Sequence, residues 1–201
     1  MKGGIKLAQT DEKLVKEILI GNESAMEILV KRYYDLVHSF IYRNVSDYNI
    51  AYDLTQEVFI KVIKNIDKFS FEKGNFKTWI LKIAVNTSKD YFKSNVYKQR
   101  KEIHDIDNHE IKDDKNVVDI LSKKEEALKI KEAISKLPNL QRQAIVLKYY
   151  NDLKIKEISN VTGDNENTIK SRLFNGIKSL KKLLGGDICE KNTVEDVCTK
   201  M

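Results

Sequence analysis

Between positions 68 and 79 the chain reads Lys68-Phe69-Ser70-Phe71-Glu72-Lys73-Gly74-Asn75-Phe76-Lys77-Thr78-Trp79. Flat rings can stack unpaired bases, lysines neutralise phosphates, and an asparagine amide can pair with a base edge. That is chemistry for single-stranded nucleic acid. The positive face continues through Lys82, Lys89, Lys93, Lys98, Arg100 and Lys101. Phe76 and Trp79 also suit ordinary core positions, and Phe71 suits either reading.

A second constellation lies near the C-terminus. IKEISNVTGDNENTIKSRLFNGIKSLKKLL pairs a short helix with a longer one across a glycine turn. Ile158 is the apolar residue of the first helix, and Gly163 can supply the left-handed backbone that ends it sharply. Asn165 suits the N-cap of the second helix. Ile169, Leu173, Ile177, Leu180 and Leu184 form a buried stripe. The opposite face shows Glu166, Asn167, Lys170, Ser171, Asn175 and Lys178, with Arg172 on the flank. Such side chains hydrogen-bond phosphates and base edges at the start of a recognition helix. An amphipathic hairpin in a bundle would share the stripe; the glycine, the spacing and the cationic outer face favour duplex DNA.

The third feature is Asp53-Leu54-Thr55-Gln56-Glu57-Val58-Phe59, where Asp53, Gln56 and Glu57 share one helical surface. It is locally acidic in a basic protein, so it should face a basic protein surface or solvent, not DNA.

These residues need helices to hold them. The chain has 201 residues, one proline and eight glycines, and a charged fraction of 33%. So few breakers exclude turn-rich all-β architectures and favour long helices. Apolar residues recur at threes and fours around Leu14 and Ile18, from Met26 to Ile41, and from Ala51 to Ile66. A fourth helix starts at Phe76 or Lys77. Further helices fit near 123–136, 139–150, 154–162 and 165–184. An all-α fold of two small helical domains follows. Residues 61–101 carry eleven Lys/Arg against three Asp/Glu, whereas 102–121 carry two against seven. The acidic stretch therefore separates two basic lobes as a flexible linker that can rest on them. The net charge of +6 suits a polyanionic partner. No apolar run approaches the roughly 20 residues of a membrane span, and no leader is evident, which predicts a soluble cytoplasmic protein.

AYDLTQEVFIKVIKNIDKF followed by GNFKTWILKIAVNTSKDYF resembles region 2 of a bacterial RNA polymerase sigma factor. LPNLQRQAIVLKYYNDLKIKEIS and TIKSRL resemble region 4. With only these regions and a short linker, the chain resembles the extracytoplasmic-function (ECF) group of the sigma-70 family. The resemblance implies an N-terminal extension at 1–9, region 2 at 10–101, the linker at 102–121, region 4 at 122–184 and a tail at 185–201. It implies that Asp53, Leu54, Gln56 and Glu57 grip core RNA polymerase. Capture of the −10 element as single strand falls to loop residues Phe71, Lys73, Gly74 and Asn75 and to helix residues Lys77, Thr78, Lys82, Asn86, Asp90 and Lys93. The duplex −35 element falls to Asn165, Asn167, Thr168, Lys170, Ser171, Arg172 and Asn175. A dedicated anti-sigma factor is the further partner implied.

Two departures from the family pattern stand out. Asp164 occupies an often apolar slot, which should weaken local packing. Gly176 replaces a typically alanine-rich run, at about 1 kcal/mol relative to alanine in a helix. Cys189 and Cys198 in the tail suit inert thiols, and His104 and His109 lie in the acidic linker, while His38 suits a structural role. No zinc spacing, phosphate loop or catalytic triad is present, so neither cofactor, metal nor active site is expected. The alternative is a dimeric helix-turn-helix regulator of duplex operators, which leaves the aromatic loop and the acidic patch unexplained.

Overall fold

Four capped helices build the N-terminal lobe: α1 (Asp11–Leu19), α2 (Glu23–Val45), α3 (Tyr48–Asn65) and α4 (Phe76–Lys93). The computed structural model describes residues 9–94 and 118–185. Thr10, Asn22, Asp47 and Asn75 each accept a hydrogen bond from a backbone N–H of the first turn that follows. Such a cap satisfies an otherwise orphaned donor and contributes about 1 kcal/mol. Gly21 ends α1 with φ +91°, and Ser46 ends α2 in the left-handed conformation. Leu14, Phe40, Ile41, Val58, Ile80, Leu81 and Val85 are buried between the helices. Asp11 ties α1 to α2, accepting from Arg32 at 2.5 Å and from the Tyr33 hydroxyl. Burial, reinforced by that carboxylate, raises the Tyr33 pKa well above the usual phenol range.

The C-terminal lobe comprises α5 (Val118–Ser135), α6 (Asn139–Ile145), α7 (Ile155–Thr162) and α8 (Glu166–Leu184). Its core includes Ile130, Leu137, Ile145, Leu147, Leu153, Ile158, Ile169 and Leu180. No strand occurs among the described residues, and the fold is all-helical. Two elements depart from the sequence expectation. Helix α5 begins at Val118, inside the stretch read as linker, because extending a formed helix is far cheaper than nucleating one. The expected helix over 139–150 is α only to Ile145 and finishes as one π turn, Val146–Tyr150. The linker's acidic residues at 102–117 lie outside the described residues.

The lobes pack directly on one another, α4 against α7 and the end of α2 against α5, α6 and the π turn. Lys89 on α4 donates to the Thr162 carbonyl at 2.6 Å, at the C-terminus of α7. A cation there also meets the negative end of the helix dipole. Arg142 on α6 donates to the Asn44 carbonyl, and Lys131 to the Tyr42 hydroxyl at 2.7 Å. The Arg43 guanidinium lies 4.2 Å from the ring centroid of Tyr150.

Candidate nucleic-acid interface

Helix α8 presents a polar groove. Gly163 takes φ +78° and ends α7, and Asn165 caps α8 by accepting from the Thr168 N–H at 2.8 Å. Ile169, Leu173 and Leu180 then face the core. This turns Asn165, Asn167, Thr168, Ser171, Arg172 and Asn175 toward a groove of about 470 Å³. No carboxylate lines it, and every lining side chain bears a hydrogen-bonding group. Six of the seven residues expected at the duplex site are thus brought together. Lys170, the seventh, is exposed but outside the groove lining.

The turn before α8 is stapled by the pair expected to weaken it. Arg172 donates through both terminal nitrogens to Asp164, at 2.6 and 3.2 Å. Ser159 closes the same turn, donating to the Asp164 carbonyl at 2.6 Å. Rather than leaving a packing defect, Asp164 binds the turn to the recognition helix. The fork-shaped guanidinium matches the carboxylate in a bidentate pair. The Arg172 hydrogen bond holds the Asp164 carboxyl below its usual value of 3.8; partial burial opposes this, and the charges of Arg172 and Lys89 assist it. A depressed carboxyl pKa stabilises the fold above its ordinary value, and that stabilisation is lost as pH falls through the lowered one. The thermal midpoint of the wild type should therefore exceed that of Asp164→Asn between pH 5 and 8. The gap should close below about pH 4; a gap independent of pH would show that the ionised pair is irrelevant to the turn.

The aromatic loop forms two single-turn 3-10 helices, Ile66–Lys68 and Phe71–Lys73. Phe76 is buried and Trp79 half-buried, whereas Phe71 is 38% exposed and rests edge-on against Phe69, with centroids 4.6 Å apart. Gly74 adopts φ +151° and ψ 179°, a region open essentially to glycine alone. Asn75 serves as the cap of α4, accepting from the Thr78 N–H at 2.8 Å, while the Thr78 hydroxyl donates back to the Asn75 carbonyl. Its amide donors remain for other work. Lys73 is exposed and Lys77 and Thr78 half-buried. Farther along α4, Lys82, Asn86, Asp90 and Lys93 form one exposed stripe, beside which Lys89 turns toward α7.

On α3, Asp53, Gln56 and Glu57 are exposed, as their spacing predicts. Leu54, however, is only 7% exposed and belongs to the core, because it falls on the stripe shared with Ala51 and Val58. It supports the acidic surface from beneath. Glu57 pairs with Lys61 at 2.7 Å, and Lys61 also donates to Thr87 on α4 at 3.0 Å.

Comparison with known proteins agrees with this arrangement. Residues 29–96 match the family model for Sigma-70 region 2, and residues 127–180 that for Sigma-70, region 4. The chain is 31% identical over 173 residues to the ECF RNA polymerase sigma-E factor of Haemophilus influenzae, covering 82% of this chain and 90% of that protein. It is 29% identical over 180 residues to the ECF RNA polymerase sigma factor SigW of Bacillus subtilis, covering 86% and 96%. The chain belongs to the sigma-70 family as an ECF RNA polymerase sigma factor.

This sigma factor directs RNA polymerase to promoters and is not itself an enzyme. Membership removes the dimeric-regulator alternative. Its fold is similar to that of CnrH, solved in complex with the cytosolic domain of CnrY, with a TM-score of 0.62, 18% identity, and coverage of 87% of this chain and 96% of CnrH. Among the described residues no group of His, Cys, Asp and Glu could hold a metal ion, and no helix is long and apolar enough to cross a membrane. Cys189, Cys198, His104 and His109 lie outside the described residues. His38 stacks between Tyr34 and Tyr42, with centroids 5.9 and 6.2 Å away.

Three exposed apolar residues of the sigma factor escaped the sequence reading. Ile60 and Ile63, each about half exposed (50% and 51%), extend the acidic face of α3 by one and two turns. Phe174 is 69% exposed on α8, one turn from both Lys170 and Lys178. The available signal was negative: all three are apolar residues that fall off their helix's buried stripe.

Proposed function

We propose that this cytoplasmic sigma factor docks on core polymerase through Asp53, Gln56 and Glu57, flanked by Ile60 and Ile63. The exposed loop around Phe71, with Lys73, Gly74, Asn75 and the α4 stripe, receives the −10 element as an unpaired strand. Extruding a base from the stack costs a few kcal/mol, which stacking and the lysines offset. The polar face of α8 enters the major groove of the −35 duplex, with Lys170 on its phosphates and Asn167, Ser171 and Asn175 toward base edges. Arg172 acts mainly by holding Asp164 and hence the angle at which α8 enters the groove. Phe174 suits apolar contact with a thymine methyl. An anti-sigma factor is the regulatory partner that the family resemblance implies.

The observation that carries this reading is the convergence of six polar side chains, without a carboxylate, on the outer side of a capped second helix. Two sets of variants test the division of labour. Lys170→Ala should weaken duplex −35 binding and lower the salt slope by about one unit. Phe71→Ala should leave duplex binding intact and reduce promoter opening. Gel shifts on duplex DNA and permanganate footprints of the melted bubble measure the two separately. Equal losses in both assays from both variants would defeat the assignment.

A further inference from the structure

Gln141, on α6, lies outside the helix-turn-helix, yet it lines the same groove as Asn165, Thr168, Arg172 and Asn175. It reaches that position because α6 comes unusually close to α8. A Cβ at Gly176 would sit 3.0 Å from Ile145 Cγ1 and 3.6 Å from Gln141 Cβ. The glycine that breaks the family's alanine-rich pattern is therefore a notch into which α6 settles. The Gln141 Oε1 is shut off from solvent with no hydrogen-bond donor, and the half-buried residue lines the groove. The carboxamide's amino group carries two N–H donors, and a groove without carboxylates repels no anion.

We infer that Gln141 is a DNA-positioning residue, donating its amide to a phosphate oxygen of the −35 duplex. This rests on the proposed −35 reading and widens its footprint from α8 onto α6. Gln141 sits along the Thr168–Arg172–Asn175 flank of α8, beside the exposed residues expected to meet bases. An element packed beside a recognition helix meets the sugar-phosphate backbone, not the base edges. The contact fixes the register of α8 without carrying sequence information.

The test uses holoenzyme assembled from core polymerase and the full chain. Its probes are duplexes retained by wild-type holoenzyme from a pool randomised at the −35 element. Gln141→Ala should weaken binding by about tenfold or more on all retained sequences alike, the loss of one hydrogen bond to a charged phosphate. Gln141→Lys should instead steepen the dependence of log affinity on log salt by about one unit, because an ammonium on a phosphate releases a counterion. A lysine at position 141 held away from the phosphates would not move that slope. Unchanged affinity and slope in both variants would overturn the inference, as would a changed base preference, which would make Gln141 a base-reading residue. Lys170→Ala and Ser171→Ala serve as references. If they weaken binding while the Gln141 variants do not, only this inference fails. If all four are silent, the −35 reading itself falls.

Discussion

Reversing charge at Asp53 and Glu57 together, as Asp53→Lys with Glu57→Lys, is expected to weaken binding to core polymerase by about 2–5 kcal/mol. That is the loss typical of charge-assisted contacts desolvated at an interface. Both side chains are exposed on α3, so neither change opens the core. Glu57→Lys exchanges its surface pair with Lys61, whose members are 49% and 37% exposed, for a like-charge neighbour one turn away, and both effects are about 0.5 kcal/mol or less at such exposed sites. Lys61 keeps its bond to Thr87. Helical content and thermal midpoint should therefore stay near wild type while core affinity falls. Titration of the variant against labelled core polymerase, beside a circular dichroism melt, checks both halves. Normal core affinity would move the docking face elsewhere, and a collapsed melt would show that α3 depends on these charges for its fold.

The largest stability effect should come from Phe76→Ala. Phe76 is 1% exposed, and its ring lies 5.0 Å from Tyr33, 5.3 Å from Phe69 and 5.4 Å from Trp79. It is the keystone between α2, the aromatic loop and the first turn of α4. Truncating a buried phenylalanine costs about 3–5 kcal/mol, from lost transfer energy and from the cavity left behind. Urea unfolding followed by circular dichroism should register that loss. Phe71→Ala, five residues earlier and partly exposed, should change stability by about 0.5 kcal/mol or less. If Phe71→Ala were as damaging as Phe76→Ala, Phe71 would be a core residue and could not serve as a stacking platform.

These two phenylalanines also illustrate what the sequence could and could not disclose. Helix positions were legible because apolar residues recur at helical spacing, and because Asn165 stands where a cap belongs; the caps at Asn22 and Asp47 were not read. Asn75 was read as a base-pairing group, yet its side-chain oxygen caps α4. An asparagine before a helix suits both uses at once, since the oxygen caps the helix while the amino group stays available. Leu54 was grouped with its polar neighbours by motif although its own periodicity places it inside. The Asp164–Arg172 pair crosses a turn, where no helical spacing rule applies, so a charge in an apolar slot read as a defect. Gly176 looked costly by helix propensity alone, and the demand it meets comes from α6, some thirty residues away. Contacts between the lobes, such as Lys89 with Thr162, are set by tertiary packing that local pattern does not encode.

Trp79 is the chain's single tryptophan, and it sits 5.2 Å from Phe69 and 5.4 Å from Phe76, ring centroid to centroid. The intrinsic indole emission of the whole molecule therefore originates beside the loop assigned to the unpaired strand, and the α8 groove contributes none. Because Trp79 is half-buried, its emission will respond to any change in how Phe69 and Phe71 pack or in how much water reaches the cluster. The protein thus carries a label-free optical probe of one of its two DNA surfaces. A spectral change on adding single-stranded DNA, with none on adding duplex alone, would let strand capture be timed separately from duplex docking in the same cuvette.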